Sequence, residues 1–565
     1  MRSPFKSRAL LRFACVISVF ATTYLSFFLG GTSAQKGEEF GKYFSKKEYL
    51  HKPLAQWCDT RDKLPSPIDD SHPLWLKLYW KAWEVAFIHF HEPGPHSVFV
   101  SQFIEPAFNE NTAQWDSSFM SMFCNYGDPL VPGISSLDNF YARQYSDGEI
   151  CREINWSTGL DLKYWDNQEN KPLFSRWGWP LNPSQGPSKP GASVIYKDRP
   201  VPSPNPRVTL DGLNHPIFAW AELEHYAITG DRTRLEEVWL PLVHYYGALK
   251  KYLRQGNRLY VTDWASMDNS PRNYYIREGG TGIDISAEMV LFARQLAEIG
   301  QVIGKGPEAS QFSAEADELT QIINQQMWDE KRKFYFDLSL DGKRAPVKTI
   351  AAYWTLLARV ASPAQAADLV SELKNPQTFG RRNPVPTLAA DEAGYHADGG
   401  YWQGSVWIPT DMMVIAGLEK YGYGELGRDI ALKHLSLVAR VFEETGTIWE
   451  NYSPDFDEPG KPARPDFVGW SGLAPIKFLL QYDIGLKPDV PHNKLQWVIT
   501  SNGRVGCERF RFGGHVASLV AEPGGSGPIK ERLAVDSDGP FELLVSFKGA
   551  EKLFSVLPGK HEYDM

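Results

Sequence analysis

From Pro73 onward, apolar residues recur at three- and four-residue intervals, the spacing of helices with one face on a core. Twelve stretches show it: residues 74–90, 114–126, 133–145, 215–228, 232–253, 285–303, 309–327, 349–361, 363–373, 401–420, 426–442 and 471–482. Stop and start signals support several ends. Ser362 before Pro363 reads as an N-cap followed by proline at the first helical position, and Gly304 and Gly306 close the stretch before them. Twelve helices suit six hairpins closed into a toroid. The period changes after Lys487. Short runs at 495–500, 517–521 and 541–547, separated by Gly, Pro and Asp, predict a small β-rich C-terminal module over 488–565. Residues 180–206 carry eight prolines and read as a long surface loop with a short hairpin around 193–197.

Upstream of this domain, 73–487, lie two other segments. Arg2, Lys6, Arg8 and Arg12 precede an uncharged run from Phe13 to Leu29, and Thr32, Ser33 and Ala34 lead into polar chain. This is the layout of a secretory signal peptide over 1–34, cleaved after Ala34; an uncleaved membrane anchor is the runner-up. Residues 35–72 form an N-terminal extension. No later stretch is apolar for long enough to span a bilayer, so an exported, periplasmic or extracellular protein is expected. Cys15 leaves with the signal. The spacing of Cys58, Cys124, Cys151 and Cys507 fits no zinc pattern, and either two bridges or free buried thiols are compatible with it.

Composition narrows the function. Apolar residues make up 42% of the chain and charged residues 22%, which excludes disorder and a coiled coil. A net charge of −9, from 59 basic and 68 acidic residues, disfavours a nucleic-acid or anionic-membrane partner. The 19 Trp, 25 Tyr and 31 Phe suit either a large core or a surface that grips sugar rings.

Acids, tryptophans and turn-formers coincide at four places, none of them mid-helix. They are Gln114-Trp115-Asp116-Ser117, Trp264 through Asp268-Asn269-Ser270-Pro271-Arg272, Gly399 through Trp402-Gln403-Gly404-Ser405-Val406-Trp407, and Trp449-Glu450-Asn451-Tyr452 before Trp470. Taken singly, each acid has a structural explanation. Asp116 suits a first-turn acid, Asp268 a turn-former and Glu450 a surface ion pair. Together they exceed what capping requires. Glycoside hydrolysis needs such a set: one carboxylic acid to protonate the leaving oxygen, one carboxylate to activate water or attack carbon, and aromatic faces for the sugar.

These motifs, with Asn214-His215-Pro216-Ile217-Phe218-Ala219-Trp220 between the first two, follow the order of glycoside hydrolase family 63. The chain resembles that family, which includes processing α-glucosidase I and mannosylglycerate hydrolase, and is more distantly similar to the trehalases of family 37. The resemblance runs from about Gln114 to Pro475. It implies an (α/α)6 barrel and an inverting hydrolysis of an α-linked glucoside or related α-glycoside, with no metal and no organic cofactor. Carried over residue by residue, it makes Asp268 the general acid and Glu450 the general base. Trp115 and Asp116 match the pair that holds the transferred sugar, and Trp402, Gln403 and Trp407 the aromatic wall. Trp264 and Trp470 complete the candidate sugar contacts. The chain departs from the family at Asn214-His215-Pro216, where relatives usually carry Pro-Pro after Gln, and at Ser405, where they often carry Pro; both bear on which sugar is bound.

Other features carry less. Arg143 and Gln144, before Asp147 and Glu149, are candidates for substrate hydroxyls or a surface ion pair. His91 and His96 are five apart across Pro and Gly, unlike a zinc-peptidase helix. Asp455, Asp457 and Glu458 lack the rest of a calcium loop, and Gly524-Gly525-Ser526-Gly527 opens no helix. Asn155 and Asn451 stand in glycosylation sequons. Three rivals share the toroid: a phosphorylase, for which no clustered Lys/Arg/Gly loop is evident; a polysaccharide lyase; and an inactive carbohydrate-binding protein, which would usually have lost a carboxylate.

Overall fold

The computed structural model describes residues 40–95, 97–107, 110–157, 159, 215–261, 267–276, 280–523 and 531–565. The proline-rich stretch 180–206, Trp264 and the glycine run at 524–527 lie outside them.

All twelve periodic stretches contain helix. The longer ones are Pro73–Ile88, Gln114–Cys124, Phe218–Thr229, Arg232–Leu253, Ile283–Val302, Gly306–Gln326, Pro363–Lys374, Ile408–Glu419 and Gly424–Thr445. Asp138–Ala142 and Trp354–Leu357 are short and each continues a 3₁₀ turn. The last, Ala474–Asp483, is wound as a π-helix. Ser362 closes the predicted cap as a reciprocal box: its hydroxyl accepts from Gln365 N, and its own N–H donates to the Gln365 side chain. Such a cap contributes about 1 kcal/mol to its helix.

The helices alternate in burial along the chain. Ile283–Val302 is buried on nearly all sides, whereas its partner Gly306–Gln326 buries one stripe, Ala309, Phe312, Ala316, Leu319 and Ile323. Ile408–Glu419 and Gly424–Thr445 repeat the arrangement, as do Phe218–Thr229 and Arg232–Leu253. A helix buried on nearly every side needs neighbours all round it, and an amphipathic partner turns its apolar stripe toward it.

The C-terminal region is two packed sheets. One runs Ser66–Asp69, Val505–Phe512, His515–Pro523, Glu531–Ser537 and Gly559–Asp564, antiparallel throughout. The other runs Ala550–Val556, Phe541–Phe547, Lys494–Ile499 and Leu486–Asp489, with one parallel pair, Phe541–Phe547 on Lys494–Ile499. Strict in–out alternation along Phe541–Phe547 sends Leu543, Val545 and Phe547 inward, and Phe512 meets Phe541 between the sheets at 5.0 Å. The N-terminal extension thus supplies an edge strand to this module, a pairing across more than four hundred residues that no local pattern announces. The module is fixed to the helices by Gly513 N–H on Ile228 O and by Trp497 Nε1–H on Ile484 O. Cys58, Cys124 and Cys507 are free thiols; Cys58 is exposed, whereas Cys124, Cys151 and Cys507 are buried. Among the described residues, no helix is long and apolar enough to cross a membrane.

Candidate active site

Four of the sequence motifs converge on one cluster of carboxyls. Asp116 sits in the first turn of Gln114–Cys124, a helix buried along its whole length. Gln114 anchors that turn: its amide donates to Ile150 O and Cys151 O at 2.8 Å each, and its side-chain oxygen accepts from Tyr245 Oη at 2.9 Å. Next to it, the strand Glu153–Asn155 pairs with Asn111–Ala113, which brings the Arg152–Glu153 ion pair (3.2 Å) beside Asp116. Trp115 packs under the same turn against His215 at 4.3 Å and Phe119 at 4.7 Å. His215 in turn pairs with the buried carboxyl of Glu288.

The Asp268 loop is held from below. Arg272 is 0% exposed and forks onto two carboxylates, bonding Asp284 through both terminal nitrogens and Asp337 through Nε at 2.8 Å and Nη2 at 2.6 Å. Asn273 Nδ2 donates to Met267 O at 2.7 Å. Asn269 holds the loop from the other side: its amide donates to Gly400 O and its oxygen accepts from Trp402 N–H, both at 2.9 Å. Asp268 is left half-buried between these anchors.

Trp402 and Trp407 stack face to face at 4.2 Å, and Trp407 continues onto Trp470 at 5.6 Å. The Val406–Tyr452 bridge joins this segment to the Glu450 loop. Glu450 is 2% exposed. Its Oε1 accepts from Tyr401 Oη at 3.1 Å and its Oε2 from Arg464 N–H at 3.3 Å, while Trp470 Nε1–H donates to its backbone carbonyl at 3.1 Å. Tyr401 holds an uncommon backbone conformation, φ +65°, after Gly399 at +114° and Gly400 at +57°. For a bulky side chain this costs on the order of 1–3 kcal/mol, which surrounding contacts must offset.

The carboxyls perturb one another. Burial raises Asp268 to about 6, with Arg152 opposing and Glu153 adding to the rise. Burial raises Glu450 to about 7 against the Tyr401 bond and the Arg464 charge, and the charge of Asp268 adds to it. Asp116 is held well above the usual carboxylate range by burial and then by Glu153, with Glu450 contributing. One of its oxygens, Oδ1, and the Gln403 side-chain oxygen are buried with no hydrogen-bond partner among the described residues. A cluster of acids with raised affinity for protons, next to buried unsatisfied acceptors and tryptophans, is equipped for proton transfer to and from a hydroxylated ligand.

Residues 207–471 match the family described as the mannosylglycerate hydrolase MGH1-like glycoside hydrolase domain. The chain is a glycoside hydrolase related to family 63. It is similar to an uncharacterized protein of Borreliella burgdorferi, 28% identical over 427 residues, covering 73% of this chain and 83% of that one. A probable mannosyl-oligosaccharide glucosidase of Schizosaccharomyces pombe is 25% identical over 226 residues, 37% of this hydrolase and 28% of the relative. Among solved structures, a family 63 mannosylglycerate hydrolase of Thermus thermophilus in complex with glucose shares the fold, with a TM-score of 0.51 and 19% identity over 71% of this hydrolase and 99% of that chain.

The hydrolase places the other expected residues variously. Asp116, Asp268 and Glu450 come together, with Trp402, Gln403, Trp407 and Trp470 built into the same loops. Trp402 and Trp407 turn one face each toward the other, and the Trp470 indole bonds the Glu450 backbone, so part of this aromatic set shapes the site from behind. Gln144 spends its amide on Gly148 O and Pro241 O, and Arg143 lies over Phe40 at 3.7 Å; among the described contacts neither reaches the acids. Asp455 pairs with Arg381, Asp457 with Arg382 and Arg440, and Glu458 with Lys461. The Asn451 sequon is 0% exposed. Arg152, Glu153, Tyr401, Asn269 and Arg464 belong to the site without having been assigned a role from sequence. Tyr401 had a signal, an aromatic residue directly after Gly399-Gly400; Arg152 and Glu153 arrive through long-range strand pairing and had none.

Proposed function

We propose that this hydrolase is an exported α-glycosidase that inverts the anomeric carbon of an α-linked glucoside or related α-glycoside, on helical hairpins closed as an (α/α)6 toroid. Asp268 protonates the glycosidic oxygen as the bond from the anomeric carbon to that oxygen breaks. Glu450 takes a proton from a water whose oxygen bonds the same carbon from the opposite face. One proton leaves Asp268 and one arrives on Glu450, so bulk water restores both between turnovers. Inversion requires carboxyls about 6.5–9.5 Å apart, leaving room for the water.

The observation that carries this reading is the asymmetric setting of the two acids. Each Glu450 oxygen accepts from a donor that orients it as a carboxylate, the form a base needs. Burial raises both carboxyls, Asp268 to about 6 and Glu450 to about 7, so each can hold or release a proton near neutrality. The donors on Glu450, rather than proton affinity, separate the two roles. Asp116 and Gln403, with their unsatisfied oxygens, are suited to accept from sugar hydroxyls. The alternation of buried and amphipathic helices supports the toroid. Residues 2–34 support export, which N-terminal sequencing of the mature protein tests.

Proton NMR of the anomer as it forms tests the reaction, over a panel of α-linked gluco- and manno-disaccharides and oligosaccharides. Initial release of the β-anomer is expected. Initial release of the α-anomer would overturn inversion, and no cleavage with sugar-induced thermal stabilisation would favour a binding protein.

A further inference from the structure

We propose that Tyr401 is a positioning residue for Glu450, and that the turn carrying it, clamped by Asn269, holds the base and the acid loop in one frame. The proposal rests on the reading of Glu450 as the base.

Four features of the turn converge on the Tyr401 hydroxyl. Its backbone stands in the left-handed region, φ +65°, between Gly400 at +57° and the Gly404 corner at +146°. Neither glycine accepts a side chain: a Cβ at Gly400 would meet the His396 ring at 2.9 Å, and one at Gly404 would meet His396 O at 2.7 Å. The Asn269 bonds fall on the two residues flanking Tyr401, Gly400 O and Trp402 N. The Trp407 indole N–H donates to Tyr401 O at 3.3 Å, and the two rings meet edge-on at 4.9 Å. A strained residue fixed from both sides, with its one polar atom 3.1 Å from Glu450 Oε1, is placed for that contact.

The contact has a chemical consequence. The groups facing Glu450 are Tyr401, Arg464, Asp268 and Asp116. The two acids and burial favour its neutral form; Tyr401 and Arg464 favour the anion. A phenol donating to Oε1 favours the ionised base against the opposing effect of burial and fixes its rotation, while Asn269 ties the same turn to the residue after Asp268.

The test is Tyr401→Phe in the full-length protein, with Glu450→Gln as reference. The first readout is the ionisation of Glu450, followed as the carboxylate infrared band that Glu450→Gln lacks. Its midpoint is expected to move upward in Tyr401→Phe, because the donor to the anion is gone, with the melting temperature at pH 5 unchanged. Hydrolysis of α-D-glucosyl and α-D-mannosyl fluoride gives the second readout: kcat is expected to fall roughly ten- to a hundredfold with little change in KM. An unmoved Glu450 midpoint overturns the proposal. Full activity of Glu450→Gln on the fluorides overturns instead the assignment of the base.

Discussion

Asn269 joins the loop of Asp268 to Trp402: the Trp402 N–H donates to its side-chain oxygen at 2.9 Å while its amide donates to Gly400 O at the same distance. Both bonds come from the residue next to the proposed acid, so the acid loop and the aromatic segment cannot shift independently. Asn269→Ala leaves the Trp402 N–H without its partner, at a cost of about 1–3 kcal/mol if it stays dry, whereas Gly400 O keeps the bond from Gln403 N–H at 3.3 Å. A drop in kcat of at least tenfold is expected, larger than any change in KM. Steady-state kinetics checks it, and unchanged kcat would show that the clamp is dispensable.

The two carboxyls are separable by leaving group. Fluoride departs without a proton, so Asp268→Asn should lose roughly 10²–10⁴ in rate on an α-disaccharide and far less on the matching α-glycosyl fluoride. Glu450→Gln should lose activity on both, since water still needs a base. Equal losses for Asp268→Asn on the two substrates would remove it from the acid role.

Activity should depend on pH as a narrow bell. The pair titrates near 6 and 7, so kcat/KM of the free enzyme is expected to peak between them and to fall on either side. A profile flat from pH 4 to 9 would contradict the pairing.

Stability should carry the same signature with a definite sign. Glu450 has an ordinary value of 4.5 and is raised to about 7 in the fold, so the native state binds its proton more tightly than the unfolded chain. Its contribution is greatest below pH 4.5, declines as pH rises, and is gone above 7. Glu450→Gln, neutral throughout, should therefore exceed the wild type at pH 8 by on the order of 3 kcal/mol and show no gain at pH 4. Urea unfolding at the two pH values measures this directly.

Arg272 should be critical to the fold rather than to chemistry. Arg272→Met would leave Asp284 and Asp337, 0% and 2% exposed, facing each other without a cation. Breaking a buried pair in this way costs about 3–5 kcal/mol. Chemical denaturation should register a loss of that order, and one below about 1 kcal/mol would show that the carboxyls neutralise themselves.

Much of this protein was legible in the chain. Helical periodicity is a local property, so all twelve stretches from 74–90 to 471–482 contain helix, and Ser362 caps its helix through residues three positions away. The motifs named Asp116, Asp268 and Glu450 because Trp–acid turns between helices exceed what capping needs. Tertiary structure decided the rest. Ser66–Asp69 joins a sheet whose other strands begin at Val505, and Arg152 and Glu153 reach Asp116 only because Glu153–Asn155 pairs with Asn111–Ala113. Sequence order carries no information on which distant backbone segments exchange hydrogen bonds.

The same holds for proton affinity. The residue types at 268 and 450 are written in the sequence, and with them the capacity to donate and accept a proton. Their shifts to about 6 and about 7 come from burial and from charges brought close by folding. A carboxyl's chemistry is local, whereas the field that sets its proton affinity is summed over everything packed around it. The sequence by itself determined the helices and the reactive groups; only the tertiary structure decided that Tyr401 and Asn269 hold those groups in place.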